Sequence, residues 1–317
     1  MTCSDRLTLR TPGSGRSVGF AGALAVVAFL LLTPARSDAS TLPPNDLWKE
    51  DNRFAPSAIA ENQFNAILGA VFARYQGQFA MFGATFVINR FWNDPTVNAF
   101  AERNGNNWII NMYGGLARRP EVTADGFTMV ACHEIGHHLG GYPFYTGSWA
   151  ATEGESDNYA TQACGRLMWS GDPANADIAS RAPQTVRNRC DAAWGSAADR
   201  DLCARIALAG KSLADLLGAL EGRTVDYDRP DTRVVTQTVS THPPAQCRLD
   251  TYLQAAQCTV GFNFNTIPGI GDPIGPHSPH AELSAAAVSC MPISSVIGTP
   301  GYNGHDRPLC WFAPQLH

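Results

Sequence analysis

Apolar residues recur at helical spacing from Ser57 to about Tyr75, where Ile59, Phe64, Ile67, Leu68, Val71 and Phe72 share one face. Short β-rich runs follow: 84–92, then Val97 to Ala101, then Trp108 to Tyr113. Asn104-Gly105 separates the last two, a pair suited to the positive φ of a tight hairpin turn. Thr123 stands where a helix N-cap belongs, and the helical pattern after it runs to about Leu139, where Gly140-Gly141 stops it. A second helix is expected from Thr152 to about Trp169, a third near Asp201–Leu220, and a fourth after His242-Pro243-Pro244 with Leu249, Tyr252 and Leu253 inside. Pro, Asn and Asp at 171–183, and polar residues at 222–233, read as connections, as do residues 41–55.

This order predicts an α+β fold: a small antiparallel sheet with an edge strand packed on the helix that follows Thr123, then a helical part. Residues 259–317 are rich in Gly, Pro and Ser with little periodicity, and read as a disulfide-held, irregular C-terminal tail or appendage to a domain spanning 40–258.

The first residues change the picture. Arg6, Arg10 and Arg16 precede an apolar run from Val18 to Leu32, which ends in small residues at Ala35, Ser37 and Ala39. That is the layout of a signal peptide over 1–39, with cleavage after Ser37 or Ala39. A membrane span usually needs about 20 apolar residues, so no stable membrane insertion is expected after cleavage. Loss of this segment removes four basic and two acidic side chains and leaves a net charge of about −7, from 23 basic and 28 acidic residues in the whole chain. A mildly acidic chain with no basic run gives no reason to expect nucleic acid as a partner. Eight cysteines remain after Cys3, at 132, 164, 190, 203, 247, 258, 290 and 310, with no C-x-x-C among them. An even count in an exported chain points to disulfides and to a secreted or periplasmic location. Neighbours in sequence suggest Cys190–Cys203, Cys247–Cys258 and Cys290–Cys310, while Cys132 reads equally as a small buried hydrophobe.

The chemistry concentrates in His133-Glu134-Ile135-Gly136-His137, an H-E-x-x-H. Four residues apart on a helix, His133 and His137 project from one face and can hold one Zn²⁺ per chain, with Glu134 beside the first ligand as general base for a metal-activated water. His138 points elsewhere and reads as a packed or solvated histidine. A catalytic zinc usually has three protein ligands. A histidine further along the same turn is ruled out by Pro143, and the next helix offers Glu153 and Asp157 on one face. Glu153 is the candidate third ligand and Asp157 the residue that fixes a ligating ring by hydrogen bonding. The alternative is an acidic helix start favoured by the helix dipole.

Four blocks in this order look familiar: Val97-Asn-Ala-Phe-Ala101 with the Trp108–Tyr113 strand and Gly115-Leu116; His133-Glu-Ile-Gly-His137; Glu153 to Ala160; and Ser240-Thr-His-Pro-Pro244 with Arg248-Leu249. Together they resemble the zinc metallopeptidases of the HtpX and CAAX-prenyl-protease family, in its soluble periplasmic branch. The resemblance covers residues 97–253. It implies a zincin-like, gluzincin-type fold, zinc held by His133, His137 and Glu153, and Glu134 as base. It gives the edge strand carrying Asn98, Ala99 and Phe100 the task of pairing with an extended polypeptide substrate. It also places His242 near the metal, as a catalytic donor to the oxyanion or a gate of the water site, with Arg248 supporting the substrate cleft; a capping or packing histidine is the alternative. Transmembrane helices and a helical repeat domain, common in that family, have no counterpart in the pattern here, so its substrate preferences do not transfer.

The reading is therefore a secreted zinc endopeptidase. Two alternatives stay open: a catalytically silent peptidase fold that binds extended polypeptides, and a zymogen whose residues 41–80 block the cleft.

Overall fold

In the computed structural model, the described residues are 39–45, 59–291 and 306–315. The expected signal segment lies outside them up to residue 38, as does the expected helix start at Ser57.

Glu61–Met81 form α1, which buries Phe64, Leu68, Val71, Tyr75 and Phe79. The helix runs past Tyr75 because Phe79 finds a partner there: its ring stacks on Phe86 with centroids 4.2 Å apart. Full burial of such a ring is worth about 1.5–3 kcal/mol, enough to carry a helix through one extra turn.

Ala39–Ser40 (β1), Thr85–Phe91 (β2), Ala99–Asn104 (β3) and Asn107–Tyr113 (β4) make one sheet in the order β1-β3-β4-β2. Strands β3 and β4 form the expected antiparallel hairpin, with Asn104 opposite Asn107. Strand β2 pairs with β4 in parallel, from Thr85 against Asn107 to Phe91 against Tyr113. The sheet is thus mixed, not antiparallel. Alternation of apolar residues is the same for either partner direction, so the pattern could not show that the 92–98 connection carries the chain past β4. The expected free edge is also different. The outer side of β3 is paired with β1, Ala39 against Ala101 and Ser40 against Phe100.

Gly114–Ala117 (α2) leads into Ala124–Leu139 (α3), the central helix, which is buried from Gly126 to Leu139. Thr123 caps it, its hydroxyl oxygen accepting from Gly126 N at 3.0 Å. Glu153–Tyr159 (α4) passes through a π-helical turn, Ala160–Gly165, into Arg166–Trp169 (α5), so one continuous rod fills the span expected for the second helix. Asn175–Ala179 (α6) and Gln184–Ala193 (α7) occupy ground read as connection or left unassigned. Ala197–Glu221 (α8), Ala245–Ala256 (α9) and Pro279–Ala286 (α10) complete the helices. Among its described residues the irregular tail therefore contains one short helix, and its Trp311 and Phe312 are fully buried in the main core.

Four disulfides join Cys132–Cys164, Cys190–Cys203, Cys247–Cys310 and Cys258–Cys290. Of the three neighbour pairs expected, only Cys190–Cys203 forms. Cys247 lies in the first turn of α9 and Cys258 just beyond its end. At 1.5 Å of rise per residue they stand roughly 16 Å apart, far outside the 7 Å that a disulfide can span. Each pairs instead with the tail. Cys132 is not a lone hydrophobe: it ties α3 to the π-helical turn.

Candidate metal centre

Helices α3 and α4 cross closely, and the crossing makes the site. A side chain at Gly136 would put its Cβ 2.8 Å from both the Cα and the carbonyl oxygen of Ser156, so only glycine lets the backbones approach this far. The same crossing brings the first turn of α4 against the His133/His137 face of α3.

Glu153 reaches both imidazoles. Its Oε2 lies 3.2 Å from His133 Nε2 and its Oε1 3.5 Å from His137 Nε2. All three side chains are buried. His133 Nε2, His137 Nε2 and Glu153 Oε2 have no hydrogen-bond partner, although buried polar atoms are nearly always satisfied. A ring nitrogen from each histidine and a carboxylate oxygen of Glu153 lie within 4.8 Å of one another, a group that can hold a metal ion. A second cluster of metal-type donors, Asp231 with Cys247 and Cys310, offers no thiolate because its cysteines form a disulfide.

The opposite ring nitrogens fix how the imidazoles present themselves. His133 Nδ1 lies 2.7 Å from Asp157 Oδ1, and His137 Nδ1 lies 2.8 Å from the Ala151 carbonyl oxygen. An ionised carboxylate and a carbonyl can only accept, so each Nδ1 carries a hydrogen, which leaves each Nε2 as the ring atom turned toward Glu153. Asp157 is held in turn by Arg248, whose Nε donates to Oδ2 at 2.6 Å and Nη2 to Oδ1 at 2.7 Å, and by the Tyr252 hydroxyl at 2.7 Å. Tyr145 donates its hydroxyl to Glu153 Oε1 at 2.8 Å.

Charge balance favours a cation at the centre. Burial opposes charge on His133, but the carboxylates of Asp157 and Glu153 override it and lift the ring to about 9. Burial, reinforced by the nearby His133 charge, outweighs the pull of Glu153 on His137, which falls to about 4. Glu153 drops below the usual carboxylate range: burial works against this, and the two imidazoles outweigh it. Burial raises Glu134 to about 8, and a cation in the His133/His137/Glu153 group would lower it.

Each residue singled out in the sequence can be placed. Glu134 is fully buried and accepts a hydrogen bond from the Thr41 hydroxyl. His242 stands beside the centre, Nε2 3.7 Å from Glu153 Oε2, with its side chain about a quarter exposed. Asn98 and Ala99 are buried, and Phe100 faces a cleft of about 720 Å³ also lined by Val97, Tyr145, Ser148, Glu153 and His242. Arg248 lies deeper than a cleft residue should: it is fully buried behind the imidazoles, and only its Nη1 reaches forward, to the Thr41 carbonyl at 2.7 Å. His138 is packed, its ring stacked on Trp149 with centroids 4.6 Å apart. Sequence reasoning missed Tyr145, Tyr252 and Thr41. Tyr252 was visible only as an apolar helix position, and Tyr145 and Thr41 lie in irregular chain that carries no periodic signal.

Comparison of the chain with protein-family models, with curated proteins and with solved structures gives no match.

Proposed function

We propose that this chain is a zinc-dependent endopeptidase that acts on extended polypeptides outside the cytoplasm. The observation that carries the proposal is the convergence of three partnerless buried atoms, His133 Nε2, His137 Nε2 and Glu153 Oε2, beside the buried carboxylate of Glu134. Two imidazoles and one carboxylate are a donor set that suits Zn²⁺ with a position left for water. When bound, the ion would lower the pKa of that water and polarise a substrate carbonyl. The order of the four sequence blocks, and their resemblance to the HtpX and CAAX-prenyl-protease family, supports the same reading. Four disulfides suit an oxidising compartment. No helix among the described residues is long and apolar enough to cross a membrane.

In this reading the chain's own groups divide the work. Glu134 takes a proton from the attacking water at its carboxylate and passes it to the leaving amine. His242 donates from its ring to the carbonyl oxygen as charge builds there. Asp157 keeps the proton on His133 Nδ1, and Tyr145 steadies the Glu153 oxygen that faces His137.

The purified mature chain should contain close to one zinc and cleave an unfolded protein such as reduced, alkylated casein, with loss of activity on chelation. Glu134→Gln should abolish cleavage, by about 10³-fold or more, while zinc content by atomic absorption stays at the wild-type value. Cleavage that survives both treatments would remove the proposal.

A further inference from the structure

The segment from Ala39 to Leu42 runs beside the metal group as an extended polypeptide substrate would, and its Ala39 and Ser40 line the open cleft. It runs antiparallel to β3 along the strand edge that faces the metal group. Thr41 N donates to the Ala99 carbonyl at 3.2 Å. The Asn98 amide grips the next residue from both sides: its Oδ1 accepts from Leu42 N at 3.0 Å and its Nδ2 donates to the Leu42 carbonyl at 3.1 Å. Such paired contacts to main-chain N–H and C=O read backbone without regard to side chain, which is how an edge strand takes up an extended peptide.

The residues around the metal group then address two successive carbonyls. His242 Nε2 lies 2.7 Å from the Ser40 carbonyl oxygen, and Arg248 Nη1 donates to the Thr41 carbonyl at 2.7 Å. The Ser40–Thr41 peptide bond is therefore the one held beside His242 and Glu134. Yet the Thr41 hydroxyl donates to Glu134 Oε1 and so engages one oxygen of the carboxylate assigned as general base. Thr41 and Leu42 are each 1% exposed, so the segment is seated in the groove and does not lie across its mouth.

We infer that Ala39–Leu42 is a built-in occupant of the polypeptide groove, bound in the substrate's place, with the Thr41 hydroxyl engaging Glu134 and lowering activity until the segment is displaced. The inference deepens the peptidase reading and rests on it for the identity of the groove. It also defines what else fits there: an extended chain with small residues where Ala39 and Ser40 lie, and a bulky apolar side chain where Leu42 is buried. Any such polypeptide competes with the chain's own segment.

The test uses the full disulfide-bonded chain loaded with zinc. In amide exchange followed by mass spectrometry, Thr41 and Leu42 should exchange at least about tenfold more slowly than an unstructured peptide. Exchange at the unstructured rate overturns the inference on the unaltered protein, whatever the variants do. A fluorescein-labelled peptide copying residues 39–45 should bind the Glu134→Gln chain at least about tenfold more tightly when Thr41→Pro is added, since proline removes both the N–H to Ala99 and the hydroxyl to residue 134. Equal affinity in the two backgrounds overturns it. Thr41→Pro alone should raise casein cleavage by a similar factor at unchanged zinc content. If binding tightens but no variant cleaves casein, the seated segment stands and hydrolysis falls.

Discussion

His138 shows how one side chain can be chemically silent and still set behaviour. Its Nε2 lies 3.1 Å from the Ile109 carbonyl, and its Nδ1 accepts from Arg103 Nε at 3.3 Å, so the folded protein needs the neutral ring. Burial, and then the nearby Arg103 cation, keep its pKa well below the ordinary 6.5. Below that pH the unfolded chain binds a proton that the folded one refuses, so this ring's contribution to stability is lost as pH falls through about 6.5. His138→Gln should flatten the dependence of urea stability on pH between about 6.5 and 5, by at most one proton or roughly 1.4 kcal/mol per pH unit. An identical slope in the variant would rule this out. Asp157 carries the opposite load. Removing it leaves Arg248 buried without its main partner and frees the His133 ring. Asp157→Ala should cost about 3–5 kcal/mol in urea unfolding and weaken zinc binding about 10–100-fold against a chromophoric chelator. The sequence made these roles partly legible: helical spacing put Asp157 with Glu153 and set His138 apart. It could not show Arg248 reaching Asp157 from α9, because that contact spans 91 residues of chain.

At the scale of elements, the site is a crossing of two helices. The N-cap at Thr123, the Gly140-Gly141 stop and the H-E-x-x-H spacing are local signals, and α3 follows them closely. The crossing is different in kind. It depends on Gly136 meeting the Ser156 backbone, and a glycine inside a helix reads from sequence only as a weak spot. Gly136→Ala should keep α3 helical by circular dichroism yet push α4 away, weakening zinc binding at least about tenfold and costing about 1–3 kcal/mol. Unaltered zinc affinity would mean the helices can part without moving Glu153. The sheet carries the same lesson. Runs of β-forming residues located three of its strands, but strand direction and the identity of the edge partner depend on connections that pattern does not encode.

The whole molecule is closed by its tail. Trp311 packs against the start of α4, where a side chain at Gly154 would place its Cβ 2.3 Å from the indole. Arg307 Nη2 lies 2.7 Å from Glu155 Oε2, and both side chains are buried. The disulfides hold this closure. Cys247–Cys310 spans 63 residues and Cys190–Cys203 spans 13. On loop-closure entropy, the Cys247→Ser/Cys310→Ser double variant should lose about 4 kcal/mol and the Cys190→Ser/Cys203→Ser pair about 3, read from urea midpoints. A larger loss for the shorter loop would argue against the entropic account.

The grip of Arg307 and Trp311 on α4 sets a schedule for maturation. The histidine-bearing helix emerges early from the ribosome or translocon, but the rod that carries Glu153 gains its far-side support only when residues 306–312 arrive, and their staple, Cys247–Cys310, needs an oxidant. A nascent chain, or one kept in a reducing cytosol, should thus carry both imidazoles without a firmly placed Glu153. A chain ending before residue 306 should bind zinc measurably more weakly than the whole.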